Sequence, residues 1–459
     1  MNLAAHLERP VGRGLTPRAS HTGAAGGAPC GDLVRISISL DGRKVAAAGF
    51  DAHGCGVAIA AGSAAVTLVE GLPLLEAARI GSTEIARELG GLSPAKRHGA
   101  DLAADALHRA LGQAARADAA LEPAVGRRLV ALSGGVDSAV AALLSGSRAV
   151  GVTLELWSDP QTDEERSCCS PQAVRNARDL AHRLGLPHLS LDLRAEFRAG
   201  VVEPWLAGHA AGLTPNPCAR CNGEVRIDAM LELRERLGAA ELVTGHYARV
   251  RDGLVRVAAD PHKDQSYSLA ALDPASLARL RFPLGELRKE EVRELARRHH
   301  LPVAAKPDSQ DLCFLAGSGR EAFLARHGGL AERDGELLDL GGSSIGHHRG
   351  AHNYTVGQRR GIGVGGGTPL YVIATDADQN TVTVGPRGAL ARRTVPLRDT
   401  VLHRPTFDHV RLRYRQQPLR CSTLHDDVLE LDEPAYGVAP GQLACLMDGE
   451  LVVGHATIA

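Results

Sequence analysis

The chain has 459 residues, enough for about three domains, and its 44% hydrophobic and 23% charged content is that of a globular protein able to pack a core. A net charge of −1 excludes bulk attraction to polyanions, so any nucleic-acid surface must be a local patch. No charged, apolar, cleavable leader and no run of about 18 apolar residues is seen, which predicts a cytoplasmic location and no membrane partner; there, the nine cysteines point to metal or sulfur chemistry rather than a disulfide frame. Residues 1–27 are rich in Gly, Ala, Pro and Arg without periodicity and are expected to be a flexible arm.

From Cys30 the texture changes. Val34, Ile36, Ile38 and Leu40 alternate as in a half-buried strand, Asp41-Gly42 marks a hairpin turn, and a second strand follows. Cys55 lies between Gly54 and Gly56 at the start of a small-residue helix, and Lys96-Arg97-His98 opens a later one. With the Cys30-Gly31-Asp32 step, these marks make residues 28–112 resemble the NifU-like iron–sulfur scaffold domain, an α+β unit. The resemblance implies metal ligands at Cys30, Asp32, Cys55 and His98. That family carries a third cysteine after the His, and here Gly99 stands there. A working sulfur or cluster carrier and a docking module kept for its fold are equally compatible with that set. Residues 113–126 are Ala-rich and polar and read as a linker.

Leu129–Leu132 is a short apolar strand, followed by Ser133-Gly134-Gly135-Val136-Asp137-Ser138 and by Ala139–Leu144, a run of helix formers. A strand, a glycine turn and a helix start form an anion site, with free N–H groups and the helix dipole directed at it. The lysine that follows the last glycine in phosphate loops of kinase type is absent, and Asp137 and Ser138 take its place. The pattern resembles the pyrophosphate loop of enzymes that split ATP into AMP and pyrophosphate. Ala149–Leu154 reads as the next strand, Ser170-Pro171 as the cap and first turn of a helix running through Leu184, and Leu189–Leu193 and Leu242–His246 as further strands. Alternating strands and helices predict a doubly wound parallel sheet, whose ligands sit at the carboxyl ends of the strands.

Two later stretches carry sulfur: Thr214-Pro215-Asn216-Pro217-Cys218-Ala219-Arg220-Cys221-Asn222, and Lys306-Pro307-Asp308-Ser309-Gln310-Asp311-Leu312-Cys313-Phe314. Each is modest evidence by itself, since a C-x-x-C also suits zinc or redox chemistry and a Cys before Phe is often plain packing. In order with SGGVDS, TGHYARV, KDQSY, FPLGELRKEEVR, GHHRGAHNYTVGQRRGIG, VRLRYR and PGQ, they resemble the tRNA-specific 2-thiouridylases (MnmA family) over residues 127–459. The resemblance implies a pyrophosphate-loop catalytic domain over 127–326, a small central domain over 327–372 and a C-terminal β-barrel over 373–459 that binds tRNA. The turns Gln379-Asn380 and Asp448-Gly449 suit such a barrel.

The implied activity is ATP-dependent 2-thiolation of the wobble uridine of tRNA. ATP would be held by Ala131, Leu132, Ser133, Gly134, Gly135, Val136, Asp137, Ser138, Leu154 and Gly245, with Mg2+ on Asp137. The resemblance places a catalytic persulfide on Cys313 and its partner thiolate on Cys221. It places tRNA contacts at Asn216, Pro217, Cys218, His246, Lys263, Asp264, Gln265 and Gln442, and Arg413 with Tyr414 is a basic, aromatic-bearing strand suited to phosphate and stacking contacts. Many members have Asp where Cys218 stands, so Cys218, Cys221 and Cys313 could instead hold a [4Fe–4S] cluster that delivers hydrosulfide. That substitution and the fused scaffold favour the cluster route. Cys168 and Cys169, at a helix start, read as structural or incidental, and Cys421 and Cys445 as core. A cysteine desulfurase or sulfur-relay protein is the expected donor, and a monomer is the expected state, with self-association through the scaffold domain as the alternative. Two other functions fit parts of the chain: an amidating enzyme of the same loop type, which has no use for Cys221 and Cys313, and an iron–sulfur scaffold that only binds RNA.

Overall fold

The computed structural model of the protein describes residues 2–26, 31–159, 170–308, 312–315, 317–364 and 368–459; Cys30, Cys168 and Cys169 lie outside them. The N-terminal unit is a three-stranded antiparallel sheet of β1 (His21–Gly26), β2 (Leu33–Leu40) and β3 (Val45–His53), in that order. Val34, Ile36 and Ile38 are fully buried, as their alternation requires, under the helices Gly56–Val69 and Arg97–Asp118. The expected arm over 1–27 is not an arm. It contains the helix Leu3–Glu8, whose His6 is fully buried with Nδ1 2.8 Å from Ser63 Oγ, and the whole of β1. The small residues of β1 were misleading because they serve close packing: a Cβ at Gly23 would lie 2.1 Å from the Ala106 carbonyl of the helix laid across it.

The expected linker over 113–126 is likewise helical as far as Asp118. This helix, Arg97–Asp118, seats the N-terminal unit on the next one. Its Asp105 binds Arg175 and Arg178, its Arg109 binds Glu155 at 2.7 Å, and its Gln113 donates to the Asp192 carbonyl at 3.0 Å.

The second unit is a five-stranded parallel sheet: β4 (Arg128–Ala131), β5 (Ala149–Glu155), β6 (His188–Asp192), β7 (Glu241–Val243) and β10 (Leu280–Arg281), ordered β10-β7-β4-β5-β6. The order runs one way from β4 through β5 to β6 and the other way through β7 to β10, so the switch point lies between β4 and β7. The N-terminal unit covers the β6 edge, which would otherwise present unpaired backbone groups. The hairpin of β8 (Arg249–Arg251) and β9 (Leu254–Arg256) leaves this unit and joins the barrel sheet.

The central unit pairs β11 (Gly335–Leu338), β12 (Ser344–His348), β13 (Tyr371–Asp376) and β14 (Thr381–Gly385). It therefore runs past the expected boundary at 372, which falls inside β13. The C-terminal strands β15 (Ala391–Leu402), β16 (His409–Arg411), β17 (Leu419–His425), β18 (Val428–Tyr436), β19 (Leu443–Asp448) and β20 (Leu451–Ile458) close into a six-stranded barrel through the β15–β20 pairing. Cys421 and Cys445 are buried in its strands. Both turns read from sequence are present, with Asn380 and Gly449 at positive φ between paired strands. No helix among the described residues is long and apolar enough to cross a membrane.

Candidate functional site

At the switch point β4 ends in half-buried Ala131 and buried Leu132, and the chain turns through Gly134 at φ +68°. Ser138 ties the turn together: its Oγ accepts from the Ser133 amide at 3.1 Å and donates to the Gly135 carbonyl at 3.1 Å. The helix Val136–Ser145 starts from Gly135 with no side chain on its first amides, which leaves that turn directed at an anion. Gly245, just past β7, closes the other side. A Cβ there would lie 2.8 Å from the Ser138 amide nitrogen, so only glycine allows the two loops to meet. Leu154 is half-buried at the end of β5.

The positive charge missing from the loop arrives from far along the chain. Lys289 Nζ, on a residue only 6% exposed, binds both carboxylate oxygens of Asp137 at 2.7 and 2.9 Å, and Tyr247 donates its hydroxyl to the same carboxylate at 2.9 Å. Lys289 also meets Asp308 at 2.8 Å, as do Lys263 at 2.6 Å and Arg293 at 2.9 Å. Burial would raise the Asp308 pKa, but the bonds from Lys263 and Lys289 outweigh it and hold the carboxyl at about 2. Lys306 donates to the Gly134 carbonyl at 2.9 Å. Two lysines, Lys289 and Lys306, thus reach the anion loop, and Lys263 joins them through Asp308. Sequence reading passed over Lys289, Lys306 and Asp308 although each sits inside a quoted motif, because only the cysteines and glycines of those motifs carried a self-evident chemistry.

The cysteine loop is built just as locally. Asn216 caps the helix Pro217–Cys221, its Oδ1 accepting from Cys218 N at 3.1 Å and Ala219 N at 3.2 Å, with Pro217 buried at the first helical position. Cys218 is exposed, whereas Cys221 is buried in the main apolar core. Cys313 packs against that same core beside Phe314, whose ring lies 5.1–5.9 Å from those of Phe197, Trp205 and Phe323. The barrel grips this loop from the far side: the Pro440 carbonyl accepts from Thr214 N at 2.8 Å, and Gln442 Nε2 donates to the Thr214 carbonyl at 2.7 Å.

Several residues expected to touch tRNA have internal duties. His246 is 8% exposed, with Nδ1 2.8 Å from Thr244 Oγ1; burial, then the nearby Arg226 charge, holds its pKa at about 3, so the ring is neutral and positions the β7 loop. Asp264 accepts from Ser266 and from Arg411 at 2.6 Å, and Gln265 accepts from the Tyr247 amide at 2.9 Å. Lys263 is held by Asp308. Arg413 donates to the Val356 carbonyl at 2.6 Å, which joins the central unit to the barrel. Tyr414 remains 47% exposed, with the Arg415 guanidinium 5.5 Å from its ring centre.

A second constellation lies in the N-terminal unit. Asp32, 2% exposed, accepts from the Cys55 amide at 2.8 Å, from the Cys55 thiol at 3.1 Å, and stands 3.0 Å from His98 Nε2. Its donor atoms lie within 4.8 Å of one another, close enough to share one metal ion. Among the described residues no other group of three His, Cys, Asp or Glu does so. Gly99 is buried against the start of the helix Gly56–Val69, where a Cβ would lie 3.0 Å from Val57 Cγ1. Cys30, the remaining expected ligand, is outside the described residues.

Comparison with known proteins divides the chain along similar lines. Residues 2–119 match the NifU-like N terminal domain, 127–317 the tRNA methyl transferase HUP domain, 321–386 the tRNA methyl transferase PRC-barrel domain, and 396–458 the aminomethyltransferase beta-barrel domain. The chain is 41% identical over 478 aligned positions to the bifunctional protein NifU/MnmA of Rubrobacter xylanophilus, covering 99% of this chain and 97% of that protein. It is 44% identical over 352 positions to the tRNA-specific 2-thiouridylase MnmA of Acidithiobacillus ferrooxidans, covering 72% of this chain and 98% of that one. The corresponding protein of Thermobifida fusca is 42% identical over 353 positions, with 72% and 95% covered.

Proposed function

The chain belongs to the family of tRNA-specific 2-thiouridylases, in the form fused to a NifU-like domain, and from that premise we propose how its residues divide the work. It is a tRNA sulfurtransferase. The observation that carries the reading is the anion loop at the switch point, met by Lys289 and Lys306, with Lys263 linked to Lys289 through Asp308.

ATP lies across that loop, its phosphates on the first-turn amides of the helix Val136–Ser145, and the lysines neutralise the departing pyrophosphate. The C2 oxygen of the wobble uridine attacks the α-phosphorus, and pyrophosphate leaves with the electron pair of the broken P–O bond. Magnesium on Asp137 does not fit this arrangement, because both carboxylate oxygens are engaged by Lys289 and one also by Tyr247. Asp137 instead aims Lys289 at the loop. The terminal sulfur of a Cys313 persulfide attacks C2, and AMP leaves with the C2–O electrons. The Cys221 thiolate then attacks the Cys313 sulfur, leaving the outer sulfur on C2 and a Cys221–Cys313 disulfide. A thiol reductant and a cysteine-persulfide donor restore the enzyme. The persulfide route asks only for Cys221 and Cys313, and desolvation raises the Cys218 thiol pKa, which disfavours the thiolate that a cluster would need there. In the N-terminal domain, Asp32, Cys55 and His98 suit a metal or sulfur cargo on its way to the consumer.

The test is to supply ATP and tRNA without a sulfur donor. Pyrophosphate release is expected only when tRNA is present, and release indifferent to tRNA would contradict the proposed order. Tyr414 and Arg415 offer the exposed tRNA contact. Replacing both by Ala should weaken tRNA binding and reduce the salt slope by about 0.9 for the lost phosphate contact; an unchanged slope would place the contact elsewhere.

A further inference from the structure

The N-terminal domain reaches the ATP loop through one helix. We propose that Asp105, a residue of the NifU-like domain, is a positioning residue for the ATP loop of the catalytic domain, acting through the helix Pro171–Arg183. The inference rests on the reading of Ser133–Ser138 as that loop.

Asp105 receives one arginine on each carboxylate oxygen, Arg175 Nε at 2.7 Å and Arg178 Nη1 at 2.8 Å. The two arginines are three residues apart and so share one face of the helix. Asp105 is 5% exposed and Arg178 only 1%, and Arg178 Nε has no other partner among the described residues. A charge so deeply buried is tolerated only while its counter-ion is present. Another face of the same helix rests through Ala177 and Ala181 on Val130 and Leu132 at the end of β4 and on Ala141 of the helix Val136–Ser145. Leu180 of the same helix packs against Val136 and Val140 behind the loop. The Asp105 ion pair is the buried charged anchor on its other side.

The helix transmits that position directly. Its first turn, capped by Ser170 through the Ala173 amide at 3.1 Å, lies behind the loop. The Ala173 carbonyl would be 3.1 Å from a Cβ at Gly134, the left-handed residue at the centre of the turn. From Ala173 to Arg178 is roughly 8 Å of helix, at about 1.5 Å per residue. Without Asp105, Arg178 must move toward water, the first turn moves with it, and Gly134 loses the surface it rests on. The fused domain therefore supports ATP binding besides whatever cargo it carries.

The test uses the full chain and tRNA-dependent AMP formation with a persulfide donor and a thiol reductant supplied, and thermal midpoints are measured in parallel. Asp105→Asn should raise KM for ATP by about tenfold to a hundredfold, the scale of a misplacement near 1 Å, and leave KM for tRNA unchanged. Arg175→Gln strands no buried charge and should move KM for ATP in the same direction by less. Arg116→Gln removes an ion pair of the same interface, to Glu196 and Glu232, that does not touch the Pro171–Arg183 helix, and should leave KM for ATP as it was. A lowered thermal midpoint in Asp105→Asn with normal KM for ATP would overturn the inference. So would an effect of Arg116→Gln as large as that of Asp105→Asn. If Asp105→Asn does not fold, an unchanged KM for ATP in Arg175→Gln overturns it. Failure of the unaltered chain to make AMP would instead remove the loop reading beneath it.

Discussion

Asp137→Ala is expected to lower tRNA-dependent AMP formation by about 10²- to 10³-fold, the loss typical when one preorganised electrostatic group is removed from a developing charge. Asp137 and Asp308 together hold Lys289 Nζ, at 2.7 and 2.8 Å. Without Asp137 the ammonium swings to Asp308, away from the loop, and the Tyr247 hydroxyl loses its acceptor. The fold should survive, because Asp137 is half-exposed at a helix start and Lys289 keeps Asp308 as counter-ion. Asp137→Asn keeps an acceptor for Lys289 and should fall between the two. Steady-state AMP release with a thermal midpoint for each variant checks this, and AMP formation at the normal rate in Asp137→Ala would remove the loop from the chemistry.

Cys221→Ser and Cys313→Ser should each abolish 2-thiouridine, since a hydroxyl neither carries a persulfide nor attacks one. Cys221→Ser should still release AMP in the first turnover, because the Cys313 persulfide displaces it, whereas Cys313→Ser should release only pyrophosphate and leave the AMP on the tRNA. Cys218→Ser separates the two sulfur routes. With a persulfide it retains activity, in keeping with the exposed position of Cys218. With a cluster it loses iron and activity together, a serine oxygen being a poor substitute for thiolate. The comparison requires the full chain. Cutting away the N-terminal domain would strand Arg178, which is 1% exposed, without Asp105.

What could be read from the sequence was what acts locally. The glycine turn after β4, the Ser170 cap, the Asn380 and Gly449 turns and the alternation in β2 depend on neighbours a few residues away, and the structure has all of them. What could not be read was pairing at a distance. Lys289 meets Asp137 across 152 residues, and nothing in the run around either one announces the other. Gly23 and its small neighbours looked like loose chain because the helix pressed against them begins some seventy residues later. Sequence likewise could not show that His246 bonds Thr244 and that Arg413 bonds the Val356 carbonyl, the contacts by which they join elements of the protein.

The central claim, that this chain activates a tRNA uridine with ATP and replaces its C2 oxygen with sulfur from Cys313, is tested most directly by stoichiometry. The full chain is given ATP, unmodified tRNA, a thiol reductant and an isotopically labelled persulfide donor, and the tRNA nucleosides are resolved by mass spectrometry. One labelled 2-thiouridine per AMP released, with the label appearing on Cys313 before it appears on tRNA, is the expected result. Labelled 2-thiouridine formed without AMP, or formed in Cys313→Ser, would contradict it.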